Sequence, residues 1–148
     1  MRIYIGADHG GFQLKQEVIA YLVQRGYDVC DEGDETLNQA DDFQVYARKV
    51  AVALQGARQT DRGILICTGG QGMAMAANRF KGIRACVVWD EHEASECRHD
   101  NDSNVLALPA RVVGGKKFLW QSIIDTWLST PFSGLTRYKR RNAALDEL

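Results

Sequence analysis

"GILICTGGQGMAMAANRF", residues 63–80, decides the fold. It opens on a short apolar run, the pattern of a strand covered on both faces. Gly69, Gly70 and Gly72 then break the run, and "MAMAANRF" continues with the composition of a helix. A buried strand that turns through glycines into a helix is one half of a parallel β-α-β unit. Cys67 and Thr68 stand at that turn.

Outward from this stretch, apolar runs and helical stretches alternate along the chain. "RIYIGA" (2–7), "YDVCD" (27–31), "RGILIC" (62–67), "IRACVVW" (83–89) and "NVLALP" (104–109) read as strands. "FQLKQEVIAYLVQRG" (12–26) reads as a helix with Leu14, Val18, Tyr21 and Leu22 on one face and Gly26 as its stop. "DDFQVYARKVAVALQ" (41–55) follows, with Phe43, Ala47, Val50 and Leu54 on one side. Helices are also predicted from Gly72, over 91–99, over 115–129 and over the tail 133–148. This alternation predicts an α/β fold in three layers, αβα, around a five-stranded parallel, Rossmann-like sheet with a C-terminal helix. No repeat occurs, the only prolines are Pro109 and Pro131, and no flexible linker divides the chain. Residues 1–148 are therefore read as one domain.

The totals narrow the function. The chain is 45% hydrophobic and 25% charged, with a net charge of −1. No charge excess points to nucleic acid or to an anionic membrane. No apolar run approaches the ~20 residues of a bilayer span. "MRIYIGADHG" enters a strand directly, without the apolar core of a leader. Cys30, Cys67, Cys86 and Cys97 are widely spaced and form no C-x-x-C pair. Reduced thiols, no zinc site and a cytoplasmic location are the expectation.

Ligands of open parallel sheets sit beyond the carboxyl ends of the strands. That rule puts Asp8, His9, Cys67 to Gly72, Trp89-Asp90 and Pro109 to Arg111 along one edge. Asp8 and His9 either face a ligand or cap and solvate the next helix. The amides of "CTGGQG" form a nest for an anion, a phosphate or an enediolate oxygen. The loop matches neither the Walker pattern nor G-x-G-x-x-G. Cys67 is a base or nucleophile poised beside the nest, or a small buried hydrophobe. In "RHDNDSN" (98–104), His99 and Asp100 are candidates for moving a proton, against turn chemistry for Asn101, Asp102 and Ser103. Arg137 and Arg141 share a helix face and suit a phosphate, or form a solvated basic surface.

Four segments, in this order, carry a resemblance. They are "GADHGGFQLK", "GILICTGGQGMAMAANRFKGIRA", "NDSNVLALPARVVG" and "TRYKRR". Together they resemble the type B ribose-5-phosphate isomerases, a family that includes the galactose-6-phosphate isomerase subunits. The resemblance implies a cofactor-free and metal-free aldose–ketose isomerase working through a cis-enediolate. The substrate it implies is ribose 5-phosphate, interconverted with ribulose 5-phosphate. It gives Cys67 the proton shuttle, with Thr68 beside it. Gly69, Gly70, Gly72 and Asn101 would steady the enediolate. Asp8 would bind sugar hydroxyls, His9, Arg137 and Arg141 the phosphate, and Arg111 would face the ligand. It also implies a homodimer, or a tetramer, with a shared site that Asn101 and Arg111 enter from the second subunit.

Four departures bear on the substrate. The family reads C-G-T-G where this chain has Cys67-Thr68-Gly69-Gly70. Its ring-opening histidine falls on Asp100, with His99 just before. "DDFQ" (41–44) stands where D-Y-P is common, and Tyr138 replaces a histidine. A tetrulose phosphate needs no ring opening, so tetrulose or hexose phosphates are alternative substrates. A non-catalytic sugar-phosphate binder is the alternative outside enzymology. A flavodoxin-like FMN protein would have aromatic residues beside the phosphate loop, and none is present.

Overall fold

The computed structural model describes Met1 to Leu148. Five strands, β1 (Arg2–Ala7), β2 (Asp28–Asp31), β3 (Arg62–Cys67), β4 (Ala85–Val87) and β5 (Val105–Pro109), pair in parallel in the order β2-β1-β3-β5-β4. The helices are α1 (Phe12–Gln24), α2 (Phe43–Gln55), α3 (Gln71–Ala77), α4 (Glu91–His99), α5 (Ala110–Val113), α6 (Lys117–Ser129) and α7 (Thr136–Ala144). A 3-10 turn, Leu145–Glu147, closes the chain.

Side-chain alternation along the strands divides the core into two layers. Ile64 and Ile66 of β3, with Leu106 and Leu108 of β5, pack among Leu14, Val18, Ile123 and Trp127 of α1 and α6. Leu65 and Cys67, with Val105 and Ala107, face Ala47, Val50 and Met73 of α2 and α3. The apolar run of residues 63–67 thus covers both sheet faces, as both-sided burial requires. Cys67 lies on the α2/α3 side, at the carboxyl end of β3.

Three details differ from the sequence reading. The buried face of α2 is Tyr46, Ala47, Val50 and Ala51, while Phe43 is 40% exposed. Gly6 and Gly63 admit this helix closely: a Cβ on Gly63 would stand 2.8 Å from Val50 Cγ1. α5 is an added single turn, and the tail is α7 plus a 3-10 turn rather than one helix. α1 ends at Gln24, and Gly26 stands just past its cap as the expected stop, with φ +83°.

α1 also buries a charge. Lys15 is 0% exposed, and its Nζ donates to both carboxylate oxygens of Asp31 (2.8 and 2.7 Å) and to Asp34 O (2.8 Å). The pair staples α1 to the carboxyl end of β2 and to the loop that follows. Only the lysine end is buried; the Asp31 side chain keeps 34% exposure, so removing Lys15 loses charge-assisted hydrogen bonds rather than stranding a buried carboxylate. Lys15→Met is expected to cost about 2 kcal/mol and to lower the melting midpoint by roughly 6 °C. Calorimetry checks this, and an unchanged midpoint would refute the staple.

Candidate active site

The sheet order reverses between β1 and β3, so a crevice opens between the loops leaving their carboxyl ends. Both loops are pressed together there. A Cβ on Gly10 would fall 2.1 Å from Thr68 Oγ1, so only glycine fits where the β1 turn passes the β3 loop. Gly11 N donates to Asp8 Oδ1 at 3.1 Å, which ties the turn from within. Burial pushes the Asp8 carboxyl above its ordinary range.

The β3 loop bends at Gly70, whose φ of +74° puts it in the left-handed region. A side chain there would also meet Val87 Cγ1 at 3.0 Å. This bend aims Gly70 N–H back at Cys67 Sγ, 3.0 Å away. Cys67 is thus a buried residue whose sulfur accepts a hydrogen bond from the turn that the glycines create. The first amides of α3 have no acceptor within their own helix. Phe43, at the start of α2, lies over Gly72: a Cβ on that glycine would stand 3.1 Å from the ring.

Arg111 reaches the same loop. Its N–H donates to Thr68 O at 3.1 Å, and its guanidinium lies within 4.0 Å of where a Gly69 Cβ would stand. This corrects the expectation that Arg111 enters from a second subunit. β5 ends beside β3, with Pro109 in register with Cys67, and delivers Arg111 to the loop of its own chain.

A second polar cluster lies at the opposite edge. α4 and α6 run back against the strands, so their carboxyl ends arrive where the strands begin. His99 Nδ1 and Asp100 Oδ1 are 2.7 Å apart. That bond, helped by Tyr138, holds the Asp100 carboxyl below its ordinary range. Asn142 of α7 donates to Asp100 O at 3.2 Å. The rings of His99 and Tyr138 meet edge to face, with centroids 6.4 Å apart. The Arg137 guanidinium stacks on Tyr138 at 4.5 Å. Arg141 is exposed one turn further along α7. Asn101 lines a cavity of about 860 Å³ with Arg79, Arg84, Cys86 and Asp146.

Cys67 does not line that cavity. Its distance from His99, Asp100, Asn101, Arg137 and Arg141 is set by strand length, about 17 Å for the six residues of β3. One chain therefore does not by itself bring the thiol and the two C-terminal arginines together. Asp8, His9, Cys67, Thr68, Gly69, Gly70, Gly72 and Arg111 do share the carboxyl edge.

Two residues beside the crevice were not foreseen. Asp41 Oδ1 is 2.6 Å from His9 Nδ1, and Tyr46 donates its hydroxyl to Asp34 Oδ2 at 2.6 Å. Only the acidic spelling of "DDFQ" hinted at the first.

The family model for Ribose/Galactose Isomerase matches residues 3–145. The chain belongs to the ribose/galactose isomerase family. Ribose-5-phosphate isomerase B of Escherichia coli K12 is 43% identical over 144 residues, covering 97% of this chain and 93% of that one. A relative from Clostridium sp. strain MSTE9, named 4-deoxy-4-sulfo-D-erythrose isomerase, is 37% identical, covering 90% and 82%. The crystal structure of Ribose-5-phosphate Isomerase B from Mycoplasma genitalium, with bound ribulose-5-phosphate, superposes with a TM-score of 0.90. It is 33% identical and covers 99% of this chain and 94% of that one. Family and fold thus agree on the three-layer parallel sheet. No helix of the chain is long and apolar enough to cross a membrane.

Proposed function

We propose that the protein interconverts ribose 5-phosphate and ribulose 5-phosphate through a cis-enediolate, with Cys67 as the proton shuttle. The observation that carries this is the Gly70 N–H on Cys67 Sγ, at the switch point of a chain in this family. A proton α to a carbonyl is weakly acidic, so its removal needs a placed base and a stabilised oxyanion. Cys67 takes the proton from one carbon and returns it to its neighbour. The amides of Gly69 to Gly72 receive the enediolate oxygen, a contribution of about 3 kcal/mol per well-placed donor. Asp8 holds a sugar hydroxyl, and His9 and Arg111 face the anionic and polar parts of the substrate.

The remaining residues come from a second copy. In a two-fold dimer, each copy's strand-start edge is presented to the other's carboxyl edge, and two identical sites result. Asn101, Arg137 and Arg141 then reach the partner's crevice, where the arginines clamp the phosphate. This reading places the protein among cytoplasmic enzymes of carbohydrate metabolism that handle pentose phosphates.

Ring opening falls to His99 in this scheme. Asp100 stays ionised well below neutrality, so it is a poor proton donor at neutral pH, and its carboxylate is already spent on His99 Nδ1. Asp100 orients the ring, and His99 moves the proton. A specific observation favours a second reading. Asp100 stands where the family keeps its ring-opening histidine, and one relative bears the name of a four-carbon isomerase. On that reading the substrate is a tetrulose phosphate.

A panel of pentose, hexose and tetrose phosphates separates the two. Aldose–ketose interconversion of ribose 5-phosphate, at a kcat/KM at least tenfold above the tetrose, is the expected outcome. Turnover of the tetrose alone would transfer the assignment to the second reading. Absence of C2 proton exchange in heavy water with every sugar would leave a binding protein.

A further inference from the structure

We propose that Asp41 is a positioning residue that grips His9 by Nδ1 and presents Nε2–H to the anionic end of the substrate. The inference rests on the reading of His9 as an anion ligand. Asp41 belongs to the loop between β2 and α2, and its side chain is only 5% exposed. The carboxylate is thus a buried fixture, while the His9 ring beside it is 41% exposed.

The chemistry follows from the 2.6 Å contact. A carboxylate accepts and does not donate, so Nδ1 carries the hydrogen. Two states of His9 remain. As imidazolium it also carries hydrogen on Nε2, and it donates there to an anion. As the neutral Nδ1–H tautomer it has a lone pair on Nε2 and repels one. Nε2 makes no hydrogen bond within the chain, so it is free for a ligand. The groups facing this ring are all acidic: Asp41 across the bond, and Asp8 on its own turn. The Tyr46 hydroxyl of α2, which donates to Asp34, also stands beside the Asp41 carboxylate. The hydrogen bond to Asp41 raises the His9 ring above its ordinary value, and Asp8 adds to it.

The sign is fixed by that direction. The imidazolium survives to higher pH than a free histidine, and anion binding is lost as pH climbs through the raised value. Asp41→Asn keeps an acceptor for Nδ1–H and removes the charge. The imidazolium is then lost at lower pH, and the anion is held less well from that point upward.

The chain has three histidines, His9, His92 and His99, so their ring signals are separable by NMR, with His9→Gln giving the assignment. In Asp41→Asn the His9 midpoint is expected to fall, and in Asp41→Glu to recover in part. Inorganic phosphate serves as the ligand probe in calorimetric titrations. At pH 6 the Asn variant binds it within about twofold of the parent, and at pH 8 about tenfold more weakly. KM for the sugar phosphate tracks phosphate binding, and kcat stays within about twofold. A merely structural role would weaken both pH values alike.

An unmoved His9 midpoint in Asp41→Asn, or an equal loss at both pH values, overturns the role of Asp41. Should His9→Gln bind phosphate as the parent does, the reading of His9 as an anion ligand falls, and this inference with it.

Discussion

Cys67→Ala is expected to lower kcat by about 10²–10⁴-fold while KM moves less than about threefold. No neighbouring group takes over the proton. Met73 is buried and has no basic atom, and Thr68 is an exposed hydroxyl turned towards Gly10. Asp8 lies on the other loop, where Gly11 N–H already occupies one of its oxygens. The substitution removes one atom from a buried site, so it costs about 1 kcal/mol of stability and leaves the fold intact. Gly70 N–H loses its acceptor, but its bend is held by the φ that glycine alone adopts without strain. Isomerisation and exchange of the C2 proton with heavy water are expected to fall together by the same factor, since both pass through the same sulfur. An alanine variant that still exchanges the proton would remove Cys67 from the mechanism.

The sequence was most informative where structure is local. Residues 63–67 are apolar on both faces, and that run alone implies helices above and below the sheet. Asp8, Cys67 and Arg111 could be placed on one edge because each stands at or just past the carboxyl end of a strand. Two kinds of feature were hidden. The first is a long-range contact with no periodic signature. Asp41 meets His9 across 32 residues of chain, and Lys15 reads as a surface lysine until Asp31 and Asp34 O are found around it. The second is packing set by absent atoms. Tyr46 and Ala51 are buried in place of Phe43 because Gly6 and Gly63 leave room for α2 to turn that way. Asn78, at the end of α3, exchanges hydrogen bonds with both backbone groups of Ala85, at 2.9 and 2.7 Å, and so starts β4. Direction of travel was legible but unused. Helices that run back against the strands must end at the opposite edge, and this alone separates His99 to Asn101 from Cys67.

That separation yields the second large effect, which concerns mixtures. Cys67→Ala spoils the carboxyl-edge half of a site, and Arg137→Ala/Arg141→Ala spoils the strand-start half. Each charge-assisted contact to a phosphate contributes roughly tenfold or more in affinity, so the double variant is expected to lose about 10²–10³-fold in kcat/KM. Each protein alone is then nearly inactive. Co-expression of the two chains gives hybrid dimers in about half of the molecules, if pairing is random. In a hybrid, one site receives both lesions. The other receives Cys67 from the arginine variant and both arginines from the cysteine variant. One site in two, in half of the molecules, restores about a quarter of the parent activity. No rearrangement within a single chain yields this result, because β3 keeps the two halves about 17 Å apart. A co-expressed mixture that stays as inactive as its components would mean that the arginines of α7 serve no partner's crevice. The phosphate would then have to be held by His9 and Arg111 within one chain.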